Sequence, residues 1–281
     1  MKIIRSISEM QQTAEALRRE GQRIGFVPTM GYLHEGHLSL LRKAKNLSDA
    51  TVLSIFVNPT QFAPNEDLER YPRDFERDEH LARQEGCDLL FYPSEGEMYP
   101  KPYRTFVTVD EITRVLCGKS RPTHFRGVTT VVTKLFHIVK PHLAVFGQKD
   151  AQQAIVIRQM VRDLNFDVEI VVEPIVREPD GLALSSRNVY LSPEERREAT
   201  LLYKSLMAAK DCIENGERDA ARVRQKIVDM LAKAKTARVD YVEIVDTRDL
   251  KPLQELRGEI LVALAVYFGQ TRLIDNVMLT V

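Results

Sequence analysis

A chain of 281 residues with 44% hydrophobic content is long enough to bury a large core, which argues against disorder and fits one large domain or a large and a smaller one. Lysine plus arginine and aspartate plus glutamate each total 40, so the overall charge gives no reason to expect a nucleic acid or other polyanionic partner. Cys87, Cys117 and Cys212 stand far apart without C-x-x-C spacing, against a zinc knuckle or disulfide framework, and no segment approaches the roughly 18 apolar residues of a membrane span. With no leader-like apolar stretch in the first residues, the expected compartment is the cytoplasm.

In chain order, a helical pattern over about 8–20 comes first. Short apolar runs then alternate with helical patterns. The runs IGFVP (24–28), TVLSIFV (51–57), DLLFYP (88–93) and HLAVFG (142–147) read as strands, with helices at 37–48, 72–85, 127–139 and 150–163 and a further strand at DVEIVV (167–172). This βα rhythm predicts an α/β fold around a mostly parallel sheet, whose ligand should lie outside the carboxyl ends of the strands. TMGYLHEGH, NPTQF and GQKDAQQ fall at those points.

The register changes near residue 176, giving an expected division into domains 1–176 and 177–281. The second part holds a Ser185-Ser186-Arg187-Asn188 loop, then Ser192-Pro193-Glu194-Glu195, where serine can cap a helix begun by proline. Helices at 193–214 and 217–235 follow, and three closing strands imply a smaller α+β domain.

His34 and His37 bracket Glu35-Gly36 where a strand crosses into a helix. Free amides and the positive end of a helix dipole make phosphate the natural ligand there, the alternative being that the pair merely caps the helix and packs locally. In Gly147-Gln148-Lys149-Asp150 the lysine could neutralise phosphate, while Asp150 either caps the next helix or meets a ligand hydroxyl; Gln153 lies one turn on. Asn58 and Gln61 offer amides that donate and accept without charge. Ser185, Ser186 and Arg187 could grip a polyphosphate, and Arg121 is a further candidate anion contact. There is no G-x-x-x-x-G-K-[ST] loop, no G-x-G-x-x-G fingerprint and no G-x-S-x-G elbow. H-x-x-H lacks the spacing of a zincin helix, so no protein metal site is expected.

Through PTMGYLHEGH, FVNPTQF, YPRDFERD, RPTHFRGVTTVVTKLF, FGQKDAQQ and LSSRNVYLSP, the chain resembles the pantothenate synthetase (pantoate–β-alanine ligase) family of the HxGH nucleotidyltransferase superfamily. The resemblance implies a Rossmann-like parallel sheet with a smaller C-terminal lid domain. It also implies condensation of pantoate with β-alanine using ATP and Mg²⁺, through pantoyl adenylate, in a homodimer. By motif, His34, His37 and Lys149 would bind ATP phosphates and stabilise the charge that develops on adenylyl transfer. Met30 and Gly147 would line the nucleotide, Asp150 would meet the ribose, and Ser185, Ser186 and Arg187 would close on phosphate. Gln61 and Gln153 would hold pantoate, with Asn58 close by and Arg121 on an anion. The alternatives are a nucleotidylyltransferase acting on a phosphorylated acceptor, which should need an extra basic site, and a non-enzymatic nucleotide-binding module.

Overall fold

The computed structural model describes residues 1–64 and 66–281. Six strands form one parallel sheet: β1 (Lys2–Ile4), β2 (Ile24–Thr29), β3 (Ala50–Ile55), β4 (Leu89–Phe91), β5 (Leu143–Gly147) and β6 (Glu169–Glu173), in the order β1-β4-β3-β2-β5-β6. Interleaved are α1 (Ile7–Arg19), α2 (Glu35–Leu47), α3 (Phe75–Gln84), the single turns α4 (Glu95–Met98) and α5 (Cys117–Ser120), then α6 (His124–Val139) and α7 (Ala151–Asp163). Each interior strand alternates two apolar faces. Phe26, Val52, Phe91 and Ala144 join one core, while Val27, Leu53, Leu90 and Val145 join the other. Helices therefore cover both sides, as parallel sheets require.

The chain leaves β2 toward β3 on one side and returns to β5 on the other, so the order reverses between β2 and β5. Such a switch point opens a crevice at the carboxyl ends of the two strands. The histidine turn leads out of β2 into this crevice, and Gln148-Lys149-Asp150 leads out of β5.

After β6 come α8 (Pro193–Ala199), α9 (Leu201–Glu214), α10 (Ala220–Leu231) and the antiparallel sheet β7 (Ala237–Asp246), β8 (Glu259–Phe268), β9 (Thr271–Thr280). This region has its own core, in which Leu206, Ile227, Leu264 and Phe268 are fully buried. Val245, Leu261 and Ala263 pack instead into the core beneath the parallel sheet, so the two layers share apolar contact.

Several expectations change. β1 has no counterpart among the strands read from sequence. The helix expected over 72–85 begins at Phe75, because Asp74 caps it through Arg77 N–H at 3.1 Å. The single helix expected over 193–214 divides at Thr200, whose hydroxyl donates to the carbonyl of Arg197 at 2.8 Å. That local bond competes with the helical ladder. The expected start of this helix holds: Ser192 and Glu195 bond reciprocally in a capping box behind Pro193.

Candidate active site

The crevice at the switch point is a cleft of about 470 Å³. Its walls include all the singled-out residues: Met30, His34 and His37 after β2; Asn58 and Gln61 after β3; Arg121; Gly147, Lys149, Asp150 and Gln153 after β5; and Ser185, Ser186 and Arg187.

The histidine turn is built from backbone that few sequences adopt. Gly31 (φ 84°) and Tyr32 (φ 51°) are both left-handed, and a Cβ on Gly31 would lie 2.9 Å from the carboxylate of Asp78 and from Ile55. Buried Asp78, on α3, accepts the N–H of Tyr32 at 2.6 Å and of Leu33 at 2.7 Å. Burial raises its carboxyl above the usual range, with the bonds to Leu33 and Tyr32 opposing that shift. Thr29 adds a hydroxyl that donates to the carbonyl of Ser54 at 2.8 Å and accepts from Gly31 N–H at 3.2 Å.

Helix α2 begins on this turn with His34 as its N-cap. Gly36 N–H donates to His34 Nδ1 at 3.2 Å, and His34 N–H donates to His37 Nδ1 at 3.3 Å, with ring centroids 4.0 Å apart. Capping and facing the cleft, open alternatives in the sequence, thus occur together. Burial, with the charges of Lys149 and Arg77, lowers the pKa of His34 to about 4. Burial, His34 and Lys149 hold His37 well below its ordinary value. Both rings are neutral near pH 7, and because Nδ1 accepts, Nε2 carries the proton. The pair is therefore two uncharged donors at a helix N-terminus.

On the opposite side, Lys149 Nζ stands 3.8 Å from Asp150 Oδ2, and Asp150 makes no side-chain bond to the N-terminus of α7. Of the two readings of Asp150, the helix-capping one is not what the structure contains. The crossing is held from β9: Asn276, buried, donates to the carbonyls of Gln148 at 2.9 Å and Lys149 at 3.0 Å. Gln152 is committed to Cys117 N–H and to the carbonyls of Ile112 and Val115. Gln153, half-buried, has no side-chain hydrogen bond among the described residues and lines the cleft.

Gln61 is held rather than free to wander. Asn58 donates to its Oε1 at 3.0 Å and to the carbonyl of Gly127 at 3.1 Å, while accepting from Thr60 and, at 2.8 Å, from Tyr99. Asn58 is 1% exposed with its amide engaged on both sides, and it supports Gln61 as well as lining the cleft. A Cβ on Gly127 would come within 2.5–2.6 Å of Thr60 and Gln61 backbone, which lets α6 press against this turn. Gln61 Nε2 donates to the sulfur of Met30 at 3.1 Å, and its carbonyl accepts from His124 Nδ1 at 3.0 Å.

Ser185 accepts from Arg187 N–H at 3.2 Å, and Ser186 donates to the carbonyl of Tyr32 at 3.3 Å, tying this loop to the histidine turn. Both arginines have carboxylate partners. Arg187 meets Asp67 through two bonds of 2.8 and 2.9 Å, and Arg121 meets Glu66 through two of 2.8 and 2.5 Å. Sequence reasoning missed Asp78, Asn276 and this acidic pair. Asp78 sits in the YPRDFERD stretch, which offered a signal; Asn276 offers none, since its partners are remote in sequence.

Similar proteins concur. The pantoate–β-alanine ligase family profile matches residues 2–278. Pantothenate synthetases of Acetivibrio thermocellus and Caldicellulosiruptor saccharolyticus are 59% and 58% identical over 281 residues, covering 100% of both chains in each case. A crystal structure of pantothenate synthetase from Thermus thermophilus aligns with a TM-score of 0.94 at 47% identity over 99% of each chain. That of pantoate–β-alanine ligase from Francisella tularensis, complexed with β-γ ATP and β-alanine, aligns at 0.80 and 38% identity over 99% of this chain and 97% of that one. With a matching profile over almost its whole length, relatives of equal length and a cleft at the switch point of the sheet, this chain belongs to the pantoate–β-alanine ligase family.

Proposed function

We propose that the chain condenses (R)-pantoate with β-alanine, using ATP and releasing AMP and pyrophosphate, to give (R)-pantothenate. The observation that carries this is the convergence of the histidine turn, the Lys149 crossing, the glutamines and the Ser-Ser-Arg loop on one cleft, in a chain of this family. In the first step the pantoate carboxylate attacks the α-phosphorus and pyrophosphate leaves. In the second the β-alanine amine attacks the acyl carbonyl, AMP leaves, and the amine gives up a proton to solvent.

The residues divide this work by chemistry. His34 and His37 present Nε2–H donors that need lose no proton while charge builds on the phosphates, and the start of α2 adds its dipole. Lys149 supplies a fixed positive charge, and Ser185, Ser186 and Arg187 close on the phosphate chain. Gly147 leaves open space where a side chain would stand, which suits a nucleotide beside it and Met30. Asp150, uncommitted to its helix, takes a ribose hydroxyl. Gln61 and Gln153 address the hydroxyl and carboxylate of pantoate. Arg121 serves as an anion contact once released from Glu66.

The groups turned to phosphate are donors and cations, which suit phosphate oxygens. Mg²⁺ would accordingly ride on the nucleotide and neutralise part of its charge. We further propose that residues 177–281 act as a lid over a nucleotide- and pantoate-binding domain of residues 1–176, in a cytoplasmic homodimer. No helix among the described residues is long and apolar enough to cross a membrane.

Product analysis with ATP, Mg²⁺, pantoate and β-alanine tests the reading. Pantothenate, AMP and pyrophosphate should form in equal amounts. ADP and phosphate as the stoichiometric products would reject adenylation.

A further inference from the structure

Ala63, Glu66, Asp67, Arg70 and Tyr71 line the cleft between the glutamine turn and α3. Phe62 and Tyr71 meet edge-to-face at 6.0 Å, Tyr190 donates to the carbonyl of Arg70 at 2.7 Å, and Arg73 donates to the carbonyls of Leu68 and Tyr71. Between these fixed points stand two consecutive carboxylates, each taking a guanidinium fork on a different wall: Glu66 on Arg121 and Asp67 on Arg187. All four side chains are largely buried, at 15–26% exposed. Neither pair is a surface decoration, and each carboxylate takes the Nε–Nη2 edge of its guanidinium, so a substrate anion can take that edge only by displacing it.

A buried arginine stripped of its partner is costly, and a buried fork already paired is preorganised but occupied. The Ser-Ser-Arg loop in which Arg187 sits also reaches the histidine turn through Ser186, so whatever holds Arg187 in place holds that contact too. Burial alone would raise the carboxyl of Asp67; the bond to Arg187 and its charge outweigh burial and keep it below the usual range, so it stays an anion. The same balance, against Arg121, keeps Glu66 ionised.

We propose that Glu66 and Asp67 are resident counter-anions that compete with substrate for Arg121 and Arg187, holding each fork in register until a substrate anion with further partners in the cleft displaces it. Resting on the adenylating function above, this makes the acidic pair positioning residues that temper the cleft's affinity for anions. A polyphosphate displaces Asp67, and after pyrophosphate is formed the returning carboxylate helps expel it. Glu66 plays the same part toward the pantoate carboxylate at Arg121.

The test is calorimetric titration of the full chain with Mg²⁺–pyrophosphate, in the wild type, Asp67→Asn and Asp67→Glu. Removing the competitor's charge should tighten pyrophosphate binding about fivefold or more and strengthen product inhibition by a similar factor, while Asp67→Glu stays near wild type. A merely structural carboxylate gives the opposite sign, because an unheld Arg187 binds less well. Weaker or unchanged pyrophosphate binding in Asp67→Asn overturns the inference alone; absence of pyrophosphate binding in the wild type overturns it together with the functional reading. Glu66→Gln provides an independent arm: the KM for pantoate should fall with ATP affinity unaltered, and a KM that rises or stays constant counts against the proposal.

Discussion

Replacing Asp78 by Asn removes a charge that touches no substrate in the proposed scheme, yet it should slow adenylation. The carboxylate takes two backbone N–H groups at 2.6 and 2.7 Å, both in the turn that carries His34. Tyr32 is held there at φ 51°, a conformation that costs an L-residue about 1–2 kcal/mol. Hydrogen bonds to a charged group contribute about 1.5–3 kcal/mol each. Asn keeps one acceptor but turns an NH₂ toward the other N–H, so one bond weakens and the other becomes a donor–donor clash. We expect a loss of about 2–3 kcal/mol. If all of it is expressed in the placement of the histidines, adenylation slows about 30-fold or more. Rapid-quench measurement of pantoyl adenylate at saturating ATP and pantoate reads the rate, and thermal unfolding reads the stability share. Adenylation within about threefold of wild type, together with an unchanged Tm, would refute the idea that this buried carboxylate sets the turn.

The other expectations are direct. In NMR titrations of the free protein the His34 ring should titrate near pH 4, and a midpoint near 6.5 would contradict the neutral pair. Because both folded-state values lie below the unfolded one of about 6.5, the histidine contribution to stability is intact above that pH and is lost as pH falls toward about 4, seen as a falling denaturant midpoint. His37→Ala and Lys149→Ala should each slow adenylation about 100-fold or more, and near-normal single-turnover rates in both would remove them from the chemistry. Gln153→Ala should weaken productive pantoate binding by about 1–3 kcal/mol with little change in calorimetric ATP affinity. Collapse of ATP binding instead would assign Gln153 to the nucleotide.

The strands at 24–29, 50–55 and 143–147 were legible because a parallel strand covered on both faces is a short unbroken apolar run. β1 was not, since three residues at Lys2–Ile4 become a strand only by pairing with Leu89–Phe91, far along the chain. The break at Thr200 was hidden for a different reason: a hydroxyl that bonds its own helix leaves the apolar period intact. In the site, residues that sit directly after strands, such as His34 and Lys149, could be located from local order alone. Their supports could not. Asp78 reaches the histidine turn from α3, and Asn276 reaches Lys149 from the last strand. Asn58 shows a further limit: its place after β3 was legible, but its bonds to Gln61, Gly127 and Tyr99 were not.

The hairpin that joins β8 to β9 is as short as such a turn can be: Phe268 pairs with Thr271, and Gly269 takes the positive φ, 56°, required at the first position of a two-residue turn. Five residues beyond it, Asp275 and Asn276 point to opposite sides of β9, one onto Arg177 and the other onto the carbonyls that frame Lys149. Because strand side chains alternate with a period of two, a one-residue lengthening of that turn that slips β9 with it would present Asp275 to the lysine crossing and leave Arg177 facing Ile274. The turn therefore acts as a ruler for the Lys149 crossing: its length decides which side chain supports that wall of the cleft.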